Sequence, residues 1–212
     1  MMALIITGGE CSVNITVPRY DICIAADCGY LLAQRLGVFP NYIVGDFDSL
    51  NGNMTERFNH AKADGRCEIV RHSPHKNETD TMLAVSYAEK LGASDIYILG
   101  GLGGRADHSL SNIFLLERLA ADGIPAILTD GNSEISVVSE GETTVVPFGE
   151  YRYFSTLALD RAVISITGCA YPLDHSILMR REAYAVSNEP LPEGAKIVCH
   201  EGRIIFVRSE KL

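Results

Sequence analysis

For its first 130 or so residues the chain alternates short apolar runs with helical patterns, and that rhythm restricts it to βα units feeding a mainly parallel sheet. Ala3 to Ile6 and Ile22 to Ala26 are expected as early strands, Tyr30 to Leu36 as a short helix closed by Gly37, and Tyr42 to Val44 as a strand. Ile69 and Val70 suggest another short strand. Asn77 to Leu91 is expected as a helix: Leu83, Tyr87 and Leu91 fall on one stripe, Ala84 and Ala88 flank it, and Gly92 suits its stop. Asn77 or Thr79 can cap its start. Ile96 to Leu99 reads as a buried strand, followed by a glycine-rich loop and a helix from about Ser109 to Ala121. Ile127 and Leu128 begin the last strand of this half.

Beyond Asp130 the pattern changes to short alternating β segments: Ile135 to Val138, Thr143 to Val146, Ala162 to Ile166, Ile197 to Cys199 and Arg203 to Val207. No long helix is evident there. Such spacing, with glycine turns, predicts an antiparallel sandwich or jelly-roll-like domain and a boundary near Gly131. The fold class expected is therefore α/β, a mainly parallel sheet domain over 1–130 followed by a small antiparallel β-sandwich domain over 131–212.

Composition narrows the partners. A formal charge of -9, with 18 Lys and Arg that never gather into a run, argues against a nucleic-acid surface and favours a small-molecule substrate. Cys11, Cys23, Cys28, Cys67, Cys169 and Cys199 are scattered, with no Cys-x-x-Cys pair, as expected of free thiols in a reducing cytosol. The sequence has no basic leader before Thr7-Gly8-Gly9 and no apolar run of membrane-spanning length, so a soluble, cytoplasmic protein without a membrane partner is expected.

Chemistry concentrates where strands of the first half give way to loops, the carboxyl ends at which a doubly wound sheet binds ligands. Asp27 follows Ile24-Ala25-Ala26. Asp46 and Asp48 follow the third strand at i and i+2, so in extended backbone they project the same way, a geometry suited to hard divalent cations such as magnesium. A lone Asp-x-Asp is an ordinary solvated turn, and Asp80 alone is an ordinary helix-dipole carboxylate. Here Thr79 and Asp80 open one helix, and Gly100-Gly101-Leu102-Gly103-Gly104-Arg105-Ala106-Asp107-His108 leads into another; both helix N-termini favour anions. Arg105 can clamp phosphate oxygens and His108 can donate to developing negative charge.

Ala26-Asp27-Cys28-Gly29, Gly45-Asp46-Phe47-Asp48-Ser49, Glu78-Thr79-Asp80, Gly103-Gly104-Arg105-Ala106-Asp107-His108 and Val186-Ser187-Asn188-Glu189, in that order, resemble the thiamine pyrophosphokinase (thiamine diphosphokinase) family. The resemblance covers nearly the whole chain. It implies a Rossmann-like α/β domain that binds ATP, then a β-sandwich domain that binds thiamine, in a homodimer whose active sites lie between subunits. The implied reaction transfers the diphosphate of ATP to the hydroxyl of thiamine, giving AMP and thiamine diphosphate. It further implies Mg2+ held by Asp46, Asp48 and Asp80. Asp46, Asp48, Asp80, Arg105 and Asp107 are the implied catalytic set; ATP contacts fall to Asp27, Ser49, Thr79, Asp80, Gly101, Arg105 and His108, and thiamine contacts to Ser187 and Asn188. Either Asp46 or Asp107 is a candidate to accept the alcohol proton.

This chain departs from the family pattern at Cys28 and in having no tryptophan to stack on thiamine, which leaves Tyr153, Phe154, Tyr171 and Tyr184 as candidate aromatic faces. The family's threonine-containing stretch ahead of Ser-Asn is also altered, to Asp174-His175-Ser176. A metal-dependent nucleotide-sugar transferase would explain Asp46 and Asp48, but not Gly-Gly-Arg-x-Asp-His. A non-catalytic nucleotide or thiamine sensor would keep the fold without turnover.

Overall fold

The computed structural model describes residues 1–12, 15–46, 67–71, 78–182 and 184–211. Within them the chain is mixed α/β with extensive sheet, and it divides into two units: Met1–Leu115 with Leu128–Gly131, and Leu116–Ile127 with Asn132–Leu212.

In the first unit β1 (Met2–Ile6), β2 (Ile22–Ala26), β3 (Tyr42–Gly45) and β4 (Glu68–Arg71) pair in parallel, and β5 (Asp95–Leu99) runs parallel to β1 on its other side. The lateral order is β4-β3-β2-β1-β5-β6, with β6 at Ala126–Thr129. The chain thus builds outward from β1 in one direction and then returns to build in the other. Loops leaving the carboxyl ends of β1, β2 and β5 diverge at that reversal and open a crevice. Ala3 to Ile6 and Cys23 to Ala25 are wholly buried, as in parallel strands covered on both faces.

Helix α1 spans Gly29–Arg35, α2 spans Asp80–Lys90 and α3 spans Ala106–Ala121. Thr79 caps α2: its backbone is extended and its Oγ1 accepts the Met82 N–H at 3.2 Å, while Asn77 lies outside the described residues. The buried face of α2 is not the expected stripe. Thr81, Ala84, Val85 and Ala88 are buried, whereas Leu83 and Tyr87 are half-buried and Leu91 is exposed. Small side chains let the helix lie close across β1, β2 and β3, and Tyr87 meets Tyr42 edge-on with ring centroids 5.1 Å apart. Helix α3 starts at Ala106, ahead of the expected Ser109, one residue after left-handed Gly103 and Gly104.

The second unit is antiparallel. Its strands are β7 (Glu134–Ser139), β8 (Thr143–Val146), β9 (Tyr151–Thr167), β10 (Leu173–Met179) and β11 (Ala195–Lys211); β11 pairs with β7, β8 and β9, and β9 pairs with β10. The expected short segments correct to something longer: Ala162 to Ile166 lies within one 17-residue strand, and Ile197 to Cys199 and Arg203 to Val207 are parts of another. Gly202, between these two segments, does not reverse the chain. Its φ of +74° instead marks a bulge inside β11, where the register against β9 shifts. A Cβ at Gly202 would lie 2.2 Å from the Arg161 carbonyl oxygen, so close strand approach, not chain reversal, requires glycine. Strand β10 escaped notice because polar Asp174-His175-Ser176 interrupts it, where the pairing with β9 again shifts. Phe154 and Phe206 anchor the core of this unit, ring centroids 6.5 Å apart, among Ile164, Ile166, Ile197 and Ile204.

Candidate active site

The crevice predicted by the strand order is a cleft of about 590 Å³ in the first unit, lined from the ends of β1, β2 and β5 and from the start of α2. Two loops close its base. A Cβ on Gly9, after β1, would sit 2.1 Å from the Gly100 carbonyl oxygen after β5, so only glycine permits that contact.

Asp27 leaves β2 in a left-handed conformation, φ +43°, with its N–H donating to the Val44 carbonyl at 2.9 Å. Its Oδ2 accepts from Cys28 Sγ at 3.2 Å. Its Oδ1 is buried and has no hydrogen-bond partner among the described residues. Burial pushes the Asp27 carboxyl above the usual carboxylate range; the charges of Asp80 and Asp46 raise it further, against the lowering effect of the Cys28 bond. Asp46 and Asp80 are thus each within electrostatic reach of Asp27, and all three are half-buried, at the end of β3, the first position of α2 and the end of β2.

Arg105 and His108 line the cleft from the glycine loop and the first turn of α3, and Arg35 lines it from α1. The Arg105 guanidinium forks onto Asp107, Nε to Oδ1 at 3.1 Å and Nη2 to Oδ2 at 2.6 Å, and Asp107 Oδ1 also accepts the His108 N–H at 3.0 Å. The Arg105 hydrogen bonds hold the Asp107 carboxyl down at about 2. With side chains 72% and 64% accessible, the pair is an open clasp rather than a buried bridge.

The remaining expected residues divide clearly. Thr79 Oγ1 accepts the cap hydrogen bond, and it is the next two residues, Asp80 and Thr81, that line the cleft. Gly101 is a packing glycine: its carbonyl accepts from Asn112 Nδ2 at 2.8 Å, a Cβ would meet Leu128 Cδ1 at 2.4 Å, and Gly103 and Gly104 line the cleft in its place. Asp48 and Ser49 lie outside the described residues. Glu10, Cys11 and Arg35 line the cleft unforeseen, although Thr7-Gly8-Gly9 directly after a strand was the signal for the first two.

In the second unit Ser187 is left-handed, φ +56°, exposed, and donates its N–H to Ser155 Oγ at 3.0 Å. Asn188 is buried and borders a separate cavity of about 280 Å³. Of the four candidate aromatics, Phe154 is locked in the core and Tyr153 lies under the Arg152 guanidinium at 4.9 Å, whereas Tyr171 and Tyr184 line that cavity. The altered Asp174-His175-Ser176 stretch is bonded within itself, His175 Nδ1 to Asp174 Oδ1 at 2.8 Å and Ser176 Oγ donating to the Asp174 carbonyl at 3.3 Å, and to its neighbours, with Ser165 Oγ accepting the His175 N–H at 3.0 Å and the His175 ring stacked on that of His200 at 4.1 Å.

The family model for the catalytic domain of thiamin pyrophosphokinase matches residues 15–128, more than half of the chain and the segment that carries Asp27, Asp46, Asp80, Arg105 and His108. The chain belongs to the thiamin pyrophosphokinase family. It is 29% identical to the thiamine pyrophosphokinase of Bacillus subtilis over 193 residues, 90% of this chain and 88% of that one. The crystal structure of the Bacillus subtilis protein superposes with a TM-score of 0.85 at 26% identity and covers 100% of both chains. That of the Geobacillus thermodenitrificans thiamin pyrophosphokinase gives 0.84 at 25% identity, covering 99% and 98%.

Members of a kinase-type family raise the question of a metal, and the donor set fits one. Among the described residues no three His, Cys, Asp or Glu side chains converge into a complete metal cage. Magnesium does not need such a cage, since it takes one or two carboxylates and completes its shell with water and phosphate oxygens. A buried, unpartnered carboxylate oxygen on Asp27 beside Asp46 and Asp80 is the kind of group a cation would satisfy.

Proposed function

We propose that the strand-end cleft binds ATP and that the chain transfers its diphosphate to the hydroxyl of thiamine, giving AMP and thiamine diphosphate. The observation that carries this reading is the match of the family's catalytic domain to the segment holding the carboxylate cluster. The finer architecture belongs to the same proposal: a Rossmann-like ATP domain over 1–130, a β-sandwich thiamine domain over 131–212, and a cytoplasmic homodimer. The sandwich is supported by the all-antiparallel pairing of β7 to β11.

Asp46 and Asp80, with Asp48, would hold Mg2+, and Asp27 adds negative charge beside them. The ion would neutralise phosphate charge and polarise the transferring group. Arg105 and His108 steady negative charge that builds on the phosphates, and Thr79 donates a hydroxyl contact at the positive end of α2. In the transfer the thiamine oxygen attacks the β-phosphorus, the bond from that phosphorus to the bridging oxygen breaks, and AMP departs with that oxygen. The alcohol proton goes to a carboxylate. Asp46 and Asp107 are the candidates, and the clasp that holds Asp107 at about 2 makes it a weak acceptor near neutral pH. Ser187 and Asn188 belong to the thiamine side.

The direct test is to incubate the protein with ATP, thiamine and magnesium and separate the products. AMP and thiamine diphosphate in equal amounts, and neither without magnesium, are expected; ADP with thiamine monophosphate would mean attack at the γ-phosphorus. Asp46→Asn should cut turnover at least about a hundredfold with the fold unchanged. Near-normal turnover at saturating magnesium would remove Asp46 from the site.

A further inference from the structure

Charge is unevenly placed in the cleft of the first unit. Glu10, Asp27 and Asp80 line it as acids, and Arg35 and Arg105 line it as cations beside the His108 imidazole. The carboxylates repel an anionic ligand, so its retention depends on the cations. The two arginines are not equivalent. Arg105 commits Nε and Nη2 to Asp107, whose carboxylate offsets its charge and occupies one edge of its planar fork. Arg35 makes no ion pair among the described residues, so its charge and its fork are both open to a ligand. Glu10 does not take it: that side chain stands over the glycine loop, with Oε2 3.7 Å from where a Cβ on Gly103 would lie.

The position of Arg35 follows from the fold. It is the last residue of α1, a helix that packs on β1 and β2. Leu32, at i−3, lies on the same side of the helix. It is buried against the loop that closes the base of the cleft, since a Cβ on Gly100 would be 2.8 Å from Leu32 Cδ2. The next turn on that side carries Arg35 to the cleft wall. There its field reaches Cys11 of the loop after β1: burial and the charge of Asp130 push that thiol up to about 11, and Arg35 acts against both. The charges that act on Asp27 are instead those of Asp80 and Asp46. The cleft thus has a carboxylate end at β2 and α2 and a guanidinium wall beside the loop after β1.

We infer that Arg35 binds a phosphate group of the nucleotide, as a specificity-determining residue that serves the donor and not the acceptor. This rests on the proposed reading of the cleft as the ATP site. A carboxylate end suits a phosphate bridged by a cation, whereas a guanidinium takes phosphate oxygens directly, so the two walls hold different parts of one polyphosphate.

Arg35→Gln removes the charge from an exposed side chain and keeps a good helix former, so its urea midpoint should match that of the unaltered chain. It should raise KM for ATP roughly tenfold and leave KM for thiamine at saturating ATP nearly unchanged. Arg35→Lys should recover part of the loss, because it restores the charge without the fork. An unchanged KM for ATP, an equal rise in both constants, or a lysine variant no better than glutamine overturns the inference. Equilibrium dialysis with ATP and magnesium, without thiamine, separates this from the reaction itself. Arg35→Gln should bind ATP roughly tenfold more weakly there too, and equal affinity overturns the role of Arg35. An unaltered chain that binds ATP yet never turns over thiamine overturns the reaction, and Arg35 is then judged by the dialysis ratio alone. No binding of ATP by the unaltered chain overturns both.

Discussion

Asp107 shows how one ion pair fixes a protonation state. Its carboxyl is held at about 2 by Arg105, against an ordinary value of roughly 3.9. Because the folded value is the lower one, the contribution of the pair is complete above the ordinary value and fades only as pH falls toward about 2. The pair therefore stays charged throughout the range of roughly pH 5 to 9, and adds no limb to a pH–rate profile there. Carbon-13 NMR of the carboxyl, assigned with Asp107→Asn, should give a midpoint near 2; an ordinary midpoint would mean that the clasp does not form in solution. At this scale the sequence was partly transparent. Asp27 was readable as a strand-end carboxylate and Thr79 as a cap, because both follow from local order. The orphaned oxygen of Asp27 was not, since it depends on a left-handed backbone and on burial by residues distant in sequence.

Helix α2 carries the lesson at the scale of elements. Its hydrophobic periodicity pointed to Leu83, Tyr87 and Leu91, yet the helix buries the flank that holds Ala84 and Ala88. A pattern that counts apolar character cannot see that a close helix–sheet contact selects for small volume. Ala88→Leu should accordingly overfill that contact and destabilise the protein by about 1–3 kcal/mol despite being apolar and a good helix former. Urea unfolding measures it, and an unchanged midpoint would mean that α2 has room to move outward. Strand β11 was misread for a related reason. Glycine is the common mark of a turn and of a bulge, and only the partner strand, through the carbonyl of Arg161, decides between them.

At the scale of the molecule, the two units have different sources of order. In the first, parallel strands are buried on both faces and the cleft lies where the strand order reverses at β1, a reversal that the alternation of elements did not specify. In the second, Phe154 and Phe206 pack among aliphatic side chains, so Phe154→Ala should cost about 3–5 kcal/mol. Scanning calorimetry should register it as a lowered transition, and a change within error would place the weight of that core elsewhere.

Strand β11 pairs with β7, β8 and β9 yet follows all three in the chain. During synthesis those three strands leave the ribosome with exposed edges that no earlier segment can cover. They are open to pairing with neighbouring nascent chains until β11 arrives and draws them together. The second unit is therefore a late-assembling structure whose yield depends on how quickly translation proceeds from β9 to β11, and a pause between them would fall at the point of greatest exposure to aggregation.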